Sequence, residues 1–143
     1  MYVGRDEEHL ELQELERVPA HLPTAGDVRL AVSLRLQEFS GGYDGVWVAR
    51  PALKRFVEQL DVLLRTRKST ARIEAMSPGE FSMELRPVGQ LGHYEVRVLL
   101  GRHQYSGTTS WPTALSGGFE LGPSDLPVIL AAFESMLTPS GAS

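Results

Sequence analysis

The chain has 143 residues, of which 22% are charged and 42% hydrophobic, with no cysteine and a formal net charge of −4. This composition is typical of one globular domain, and it excludes a disulfide framework and a zinc site built on thiolates. Because phosphate backbones are bound by clustered Lys and Arg, the acidic balance and the scattered arginines argue against nucleic acid as a partner.

The first segment of the chain is acidic and its periodicity is ambiguous. The start lacks the apolar core of a signal peptide, and no apolar run is long enough to span a bilayer, so we expect a soluble cytoplasmic protein without membrane contact. Residues 1–7 are expected to fray. Leu10 and Leu12 alternate as in a strand, whereas Leu12, Leu15 and Val18 have helical spacing, and we favour the strand.

The clearest strand follows a loop rich in proline. Its apolar residues alternate with polar ones, which is typical of a sheet with one buried face: Val28, Leu30, Val32, Leu34 and Leu36. The alternation ends at Glu38 and Phe39. The glycine-rich run Ser40–Gly45 then predicts a hairpin turn that leads into a short strand, Val46–Ala49.

Two helices are predicted, at residues 51–66 and 123–137. Pro51 and Pro127 suit a first helical turn, and Ser124 is a candidate N-cap. Both segments carry apolar residues in one stripe of a 3.6-residue helix, which must be buried against a sheet. The stripes consist of Leu53, Phe56, Val57, Leu60, Leu63 and Leu64, and of Leu126, Ile129, Leu130, Phe133, Met136 and Leu137.

Alternation predicts four further strands, at residues 71–76, 81–86, 94–100 and 114–121. Ser77–Glu80 has the pattern of a type II turn, the polar segment Arg102–Ser110 is expected to be a loop, and Gly117 and Gly118 indicate a bulge or a close approach. Together these elements predict an α+β fold in a single domain spanning 1–143, with a frayed end at 138–143. We expect one curved, mainly antiparallel sheet of six or seven strands with both helices on its apolar face.

No catalytic constellation is recognisable. Gly41–Gly45 precedes a strand rather than a helix, so it lacks the context of a phosphate-binding loop. His93 and His103, with Glu80 or Glu95, are acid and base candidates, but their spacing fixes no common site. The four histidines are scattered and there is no cysteine, so nothing indicates a metal site. We therefore expect no enzymatic activity, no cofactor and no metal.

Large aromatic residues beside predicted loops are the better indication of function, because such residues anchor protein interfaces. The candidates for partner binding are Tyr43, Asp44, Trp47, Tyr105 and Trp111. The alternative is that these aromatic side chains cover the edge of the core.

A series of short motifs in a fixed order resembles the WapI-type immunity proteins of bacterial polymorphic toxin systems. The likeness covers roughly residues 26–132 and is carried by Phe39-Ser40-Gly41-Gly42, Val46-Trp47-Val48, the helix from Leu53 to Leu60, Met76-Ser77-Pro78-Gly79-Glu80-Phe81, Gly92-His93-Tyr94, Leu100-Gly101-Arg102 and Gly118-Phe119-Glu120-Leu121. The resemblance implies an antiparallel α+β fold, no catalysis, and a role in binding and neutralising a cognate toxin domain.

Two other functional classes stay open beside the immunity protein. A curved sheet covered by helices is able to hold a small ligand in an apolar pocket, and it is equally able to act as a structural or adaptor domain joined through a sheet edge. A homodimer is also compatible with the pattern.

Overall fold

The computed structural model describes residues 1–138, which form two four-stranded antiparallel sheets and two helices. Sheet A contains β1 (Tyr2–Arg5), β2 (Glu8–Arg17), β3 (Val28–Leu36) and β4 (Phe39–Val48), followed by α1 (Arg50–Thr66). Sheet B contains β5 (Ala71–Glu74), β6 (Phe81–Val88), β7 (His93–Ser106) and β8 (Thr109–Leu121), followed by α2 (Asp125–Leu137). Each half is thus a four-stranded meander with a helix after it.

The prediction of one sheet with six or seven strands is wrong, although the α+β class and the two helices are right. Alternation along a strand shows which face is buried, but it does not show which strand lies beside it. In each sheet, every strand pairs with the strand that follows it in the chain. Helix α1 lies in the sequence between the last strand of sheet A and the first strand of sheet B. The sheets meet where the backbone N–H of Met76 donates to the carbonyl oxygen of Trp47 at 2.9 Å.

The helices begin and end close to the predicted positions and bury most of the predicted stripes, of which Val57, Leu64 and Leu137 are only partly buried. In α1 the residues Leu53, Phe56, Leu60 and Leu63 are buried, and in α2 the buried residues are Leu126, Ile129, Leu130, Phe133 and Met136. The rings of Phe56 and Phe133 pack edge to face with their centroids 4.8 Å apart. The helices therefore pack against each other as well as against the sheets.

Strand β2 confirms the strand at the start of the chain, but other local predictions need correction. The opening residues form β1, paired with β2, instead of fraying. The turn between β3 and β4 lies at Gln37 and Glu38 rather than in Ser40–Gly45, because Gln37 adopts a φ of 61° and its N–H donates to the carbonyl of Glu7 at 2.8 Å. The end predicted at 138–143 falls mostly outside the described residues.

Glycine positions fit the turns and close approaches that the sequence indicated. Gly79 has a φ of 80°, and the N–H of Glu80 donates to the carbonyl of Ser77, as in a type II turn. A Cβ atom on Gly117 would lie 2.6 Å from a methyl carbon of Leu36, and one on Gly118 would lie 2.6 Å from the carbonyl oxygen of Val96. These glycines therefore let β8 pass close to sheet A and to β7.

Candidate functional site

The hairpin of β7 and β8 extends beyond the rest of sheet B. Strand β6 pairs with β7 as far as Phe81 and Leu100, whereas β7 and β8 continue to pair with each other up to Ser106 and Thr109. Residues 102–113, here called the arm, are all exposed. The prediction of a loop at 102–110 is therefore wrong. The sequence here is polar on both faces and shows no apolar alternation, but the backbone still forms a two-stranded hydrogen-bonded ladder.

A groove of about 340 Å³ separates the arm from the start of β4. Phe39, Tyr43, Arg102 and Leu115 are among the residues that line it. The guanidinium of Arg102 lies 4.7 Å from the centre of the Tyr43 ring, which is within the range of a cation–π interaction. The glycine-rich run predicted as a turn thus forms one wall of this groove.

A second groove, of about 430 Å³, lies between the arm and the turn that joins β5 to β6. Its lining includes Tyr43, Glu80, His103 and Tyr105, together with Arg102. The rings of His103 and Tyr105 lie 6.1 Å apart. Tyr43 and Arg102 line both grooves, so the two grooves form one continuous surface around the base of the arm.

The structure brings some of the predicted site residues together and separates others. Tyr43 and Tyr105 line the same groove, and Trp111 lies on the arm opposite Gln104, which lines the other groove. Asp44 is exposed beside Tyr43. Neither tryptophan lines a groove. Trp111 is on the arm, whereas Trp47 lies opposite Arg29 in sheet A and is not part of this surface.

Two residues of this surface were missed by the sequence analysis. The side chain of Phe39 is 68% exposed at the first position of β4. The break in alternation at Glu38 and Phe39 was the available signal, since it left this aromatic residue outside the periodic core. Arg102 was missed because nothing in the sequence indicates its contact with the Tyr43 ring.

The outer face of sheet B carries a wider cavity of about 520 Å³, but its charged residues bind one another. The side chain of Glu84 forms ion pairs with Arg86 at 2.6 Å and with Arg72 at 3.6 Å. Arg97 donates a hydrogen bond to Glu95 at 2.5 Å and holds the pKa of that carboxyl below its ordinary value. Each of these five side chains is in an ion pair, so this face is a network of mutually neutralising charges, although the Nε atom of Arg86 is buried without a hydrogen-bond partner.

The acid and base candidates do not converge. The Nδ1 atom of His93 lies 2.7 Å from a carboxylate oxygen of Glu120 at the start of β7, whereas His103 lies near its other end, on the arm. Within residues 1–138 there is no group of three or more His, Asp and Glu side chains placed to hold a metal ion. None of the helices in the same range is long and apolar enough to cross a membrane.

Comparison with known proteins gives no relative from which a site could be inferred. No protein-family model matches the chain, and no curated protein matches it significantly.

Proposed function

We propose that this chain is a non-catalytic immunity protein that binds and neutralises a cognate bacterial toxin domain through the surface around its arm. The arm surface consists of Phe39, Tyr43, Arg102, Tyr105 and Trp111. The observation that carries the proposal is the exposure of its aromatic side chains, which reaches 76% for Tyr105, 68% for Phe39 and 51% for Trp111. Aromatic residues and arginine are the residue types that most often anchor protein interfaces.

The position of these residues supports a binding role because the core does not use them, apart from Tyr43, which is half-buried and packs against it. The buried core is formed by the two sheets and the two helices, and it includes no residue of the arm. A two-stranded hairpin in water is only marginally stable. Burial against a partner would stabilise the arm and remove exposed aromatic surface from water.

Charge suggests how such a partner would be recognised. The net charge of −4 favours association with a basic protein over long distances. However, the acidic residues Asp6, Glu7 and Glu8 do not lie at the arm. They share a cavity with Glu120, which is near the opposite end of β8. We therefore propose that contact at the arm surface is made by aromatic side chains and Arg102, with Asp44 as the neighbouring acid.

The test is to express the chain together with the toxin domain encoded beside its gene, and to measure both growth protection and binding affinity. Changing Phe39, Tyr105 or Trp111 to Ala should each weaken binding by about 2 kcal/mol or more, roughly thirtyfold. The matched control is Leu91→Ala, because Leu91 is 83% exposed in the turn before β7, far along that strand from the arm. This control should bind like the wild type.

Two outcomes would contradict the proposal in different ways. Full protection by all three folded arm variants would exclude the arm surface as the binding site. Failure of the wild-type chain to protect against the neighbouring toxin would exclude the immunity function itself.

Small-ligand binding is the second candidate, and the size of the grooves is the observation in its favour. Volumes of about 340 and 430 Å³ fall within the range of about 300–1,000 Å³ that is usual for ligand pockets. Both grooves, however, are bordered mostly by exposed residues, and Leu100 is the one buried apolar side chain that lines either of them. A compound that raises the Tm of the wild type but not that of Tyr43→Ala would favour this candidate.

A further inference from the structure

The edge strands of the two sheets differ in how they are protected from pairing with other chains. An edge strand exposes unpaired backbone N–H and C=O groups, and proteins usually shield them with short length, charge or a covering segment. Strands β1 and β5 have four residues each and carry charged side chains, Arg5 in the first, and Arg72 and Glu74 in the second. The end of β4 is covered by the hydrogen bond from Met76 to Trp47.

Strand β8 has few of these protections along its backbone edge, although residues of β1, β3 and β4 pack against it. It has 13 residues, and Glu120 is its only charged side chain. Within residues 1–138, β7 is the only strand that pairs with it. Every residue from 109 to 118 is exposed except Leu115, which is half-buried. Pro112 lacks a backbone N–H group and is the residue of β8 that hinders the addition of another strand.

We propose that β8 pairs edge to edge with β8 of a second copy of this chain, antiparallel about a two-fold axis that passes near Ser116. This inference is independent of the proposed function, because strand pairing occupies the backbone edge and leaves the faces of the arm open. The pairing joins two four-stranded sheets into one continuous sheet of eight strands. The resulting interface is isologous, so it closes at a dimer.

The residues of β8 are compatible with a second copy of β8 across this edge. Two copies with a net charge of −4 each repel one another at long range, but β8 carries one charge and adds little to that repulsion at the contact. In the proposed register Ser116 faces Ser116 of the other copy, Ala114 faces Gly118, and Glu120 faces Pro112. No like charges are opposed, and the residues nearest the axis are small enough for close approach.

The pairing would also support the arm. The arm is a two-stranded ladder, and two strands alone are marginally stable in water. In the proposed register, residues 111–113 at the base of the arm face residues 119–121 of the other copy, beyond the point where β6 has ended. We therefore expect the backbone amides of residues 113–119 to exchange hydrogen more slowly as the protein concentration rises.

The experiment is analytical ultracentrifugation of the full chain over a range of concentrations, with hydrogen exchange on the same samples. Wild type should be a dimer at about 100 μM, a concentration that detects even weak association. Ser116→Lys and Ser116→Glu place like charges directly across the axis, and each should raise the dimer dissociation constant at least about fivefold. An equimolar mixture of the two variants should restore dimers, because opposite charges then face each other.

The matched control is Ser33→Lys, which adds the same charge at an exposed serine in β3, a strand with neighbours on both sides. It should dimerise like the wild type. A monomeric wild type would overturn the proposal. So would equal dimerisation of Ser116→Lys and Ser33→Lys, or a mixture that is no more dimeric than its two folded components. A dimer whose 113–119 amides show no concentration-dependent protection would place the interface elsewhere.

Discussion

The two halves of the molecule share an order of elements but differ in their last hairpin. In sheet A, the ten-residue β2 lies along the nine-residue β3, so the central strands are paired over nearly their whole length. In sheet B, β7 has 14 residues but its neighbour β6 has eight, and the excess becomes the arm. The packed body contains the periodic apolar residues, whereas the arm has no continuous apolar face and leaves Tyr105 and Trp111 exposed.

The body should be sensitive to truncation of its central side chains. Phe133→Ala should lower the free energy of unfolding by about 3–5 kcal/mol and Leu60→Ala by about 2–5 kcal/mol, because both side chains are fully buried. Urea unfolding measures the change. Val128→Ala is the control on the same helix as Phe133, since Val128 is 66% exposed, and it should stay within about 0.5 kcal/mol of wild type. A loss below 1 kcal/mol at both core sites would mean that the helix faces are wrongly assigned.

The part of β8 that packs on the body should tolerate little added volume. Gly118→Ala places a Cβ 2.6 Å from the backbone oxygen of Val96, which cannot move without disturbing the ladder, and it should cost about 1–3 kcal/mol. Gly41→Ala is the contrast in β4, because its Cβ would meet a side-chain carbon of Leu115 at 3.7 Å, an ordinary contact. Thermal unfolding compares the two. Equal Tm values would show that β8 does not approach β7 as closely as described.

The arm itself should contribute little to stability. Tyr105→Ala and Trp111→Ala should each change the free energy of unfolding by less than about 0.5 kcal/mol, since both side chains are largely exposed. In dilute protein, the amides of residues 102–113 should exchange hydrogen much faster than those of β3. A destabilisation above 2 kcal/mol by either variant would place the arm in the cooperative core.

The smallest effect is expected at the charged face of sheet B. Arg97 lowers the pKa of Glu95 in the folded state, so their interaction stabilises the fold above the unfolded pKa of about 4.3 and is lost as the pH falls through the lower folded value. Glu95→Gln should therefore have a slightly lower Tm than wild type at pH 7. This difference should disappear under strongly acidic conditions, and a difference that grows on acidification would contradict the assignment.

The sequence predicts those parts of the fold in which local pattern and packing agree. The stripe through Leu60 and that through Phe133 fix the helices, and the alternation from Val28 to Leu36 fixes β3. Pattern fails where no apolar period exists, as in the glycines of β4 and the polar residues 102–110, which backbone pairing nonetheless makes into strands. It also cannot show that the strands divide into two sheets, because register between distant strands is a property of the closed fold.

The candidate site was also predicted only where local sequence pattern was informative. Tyr43 and Tyr105 were identified because aromatic residues beside turns stand outside the core pattern, and the structure places both on one groove. Trp47 satisfied the same criterion but lies away from the arm surface, in sheet A. The Arg102 contact with Tyr43 joins two hairpins from different halves, so no local pattern could predict it.

The most direct test of the binding role is to shorten the arm and compare stability with binding. Arg102 pairs with Thr113, so replacing residues 103–112 by an Asn-Gly turn closes the hairpin at that pair. We predict that the shortened protein keeps its free energy of unfolding within about 1 kcal/mol of wild type and loses protection against the neighbouring toxin. Full protection by the folded, shortened protein would show that the arm is not the binding site.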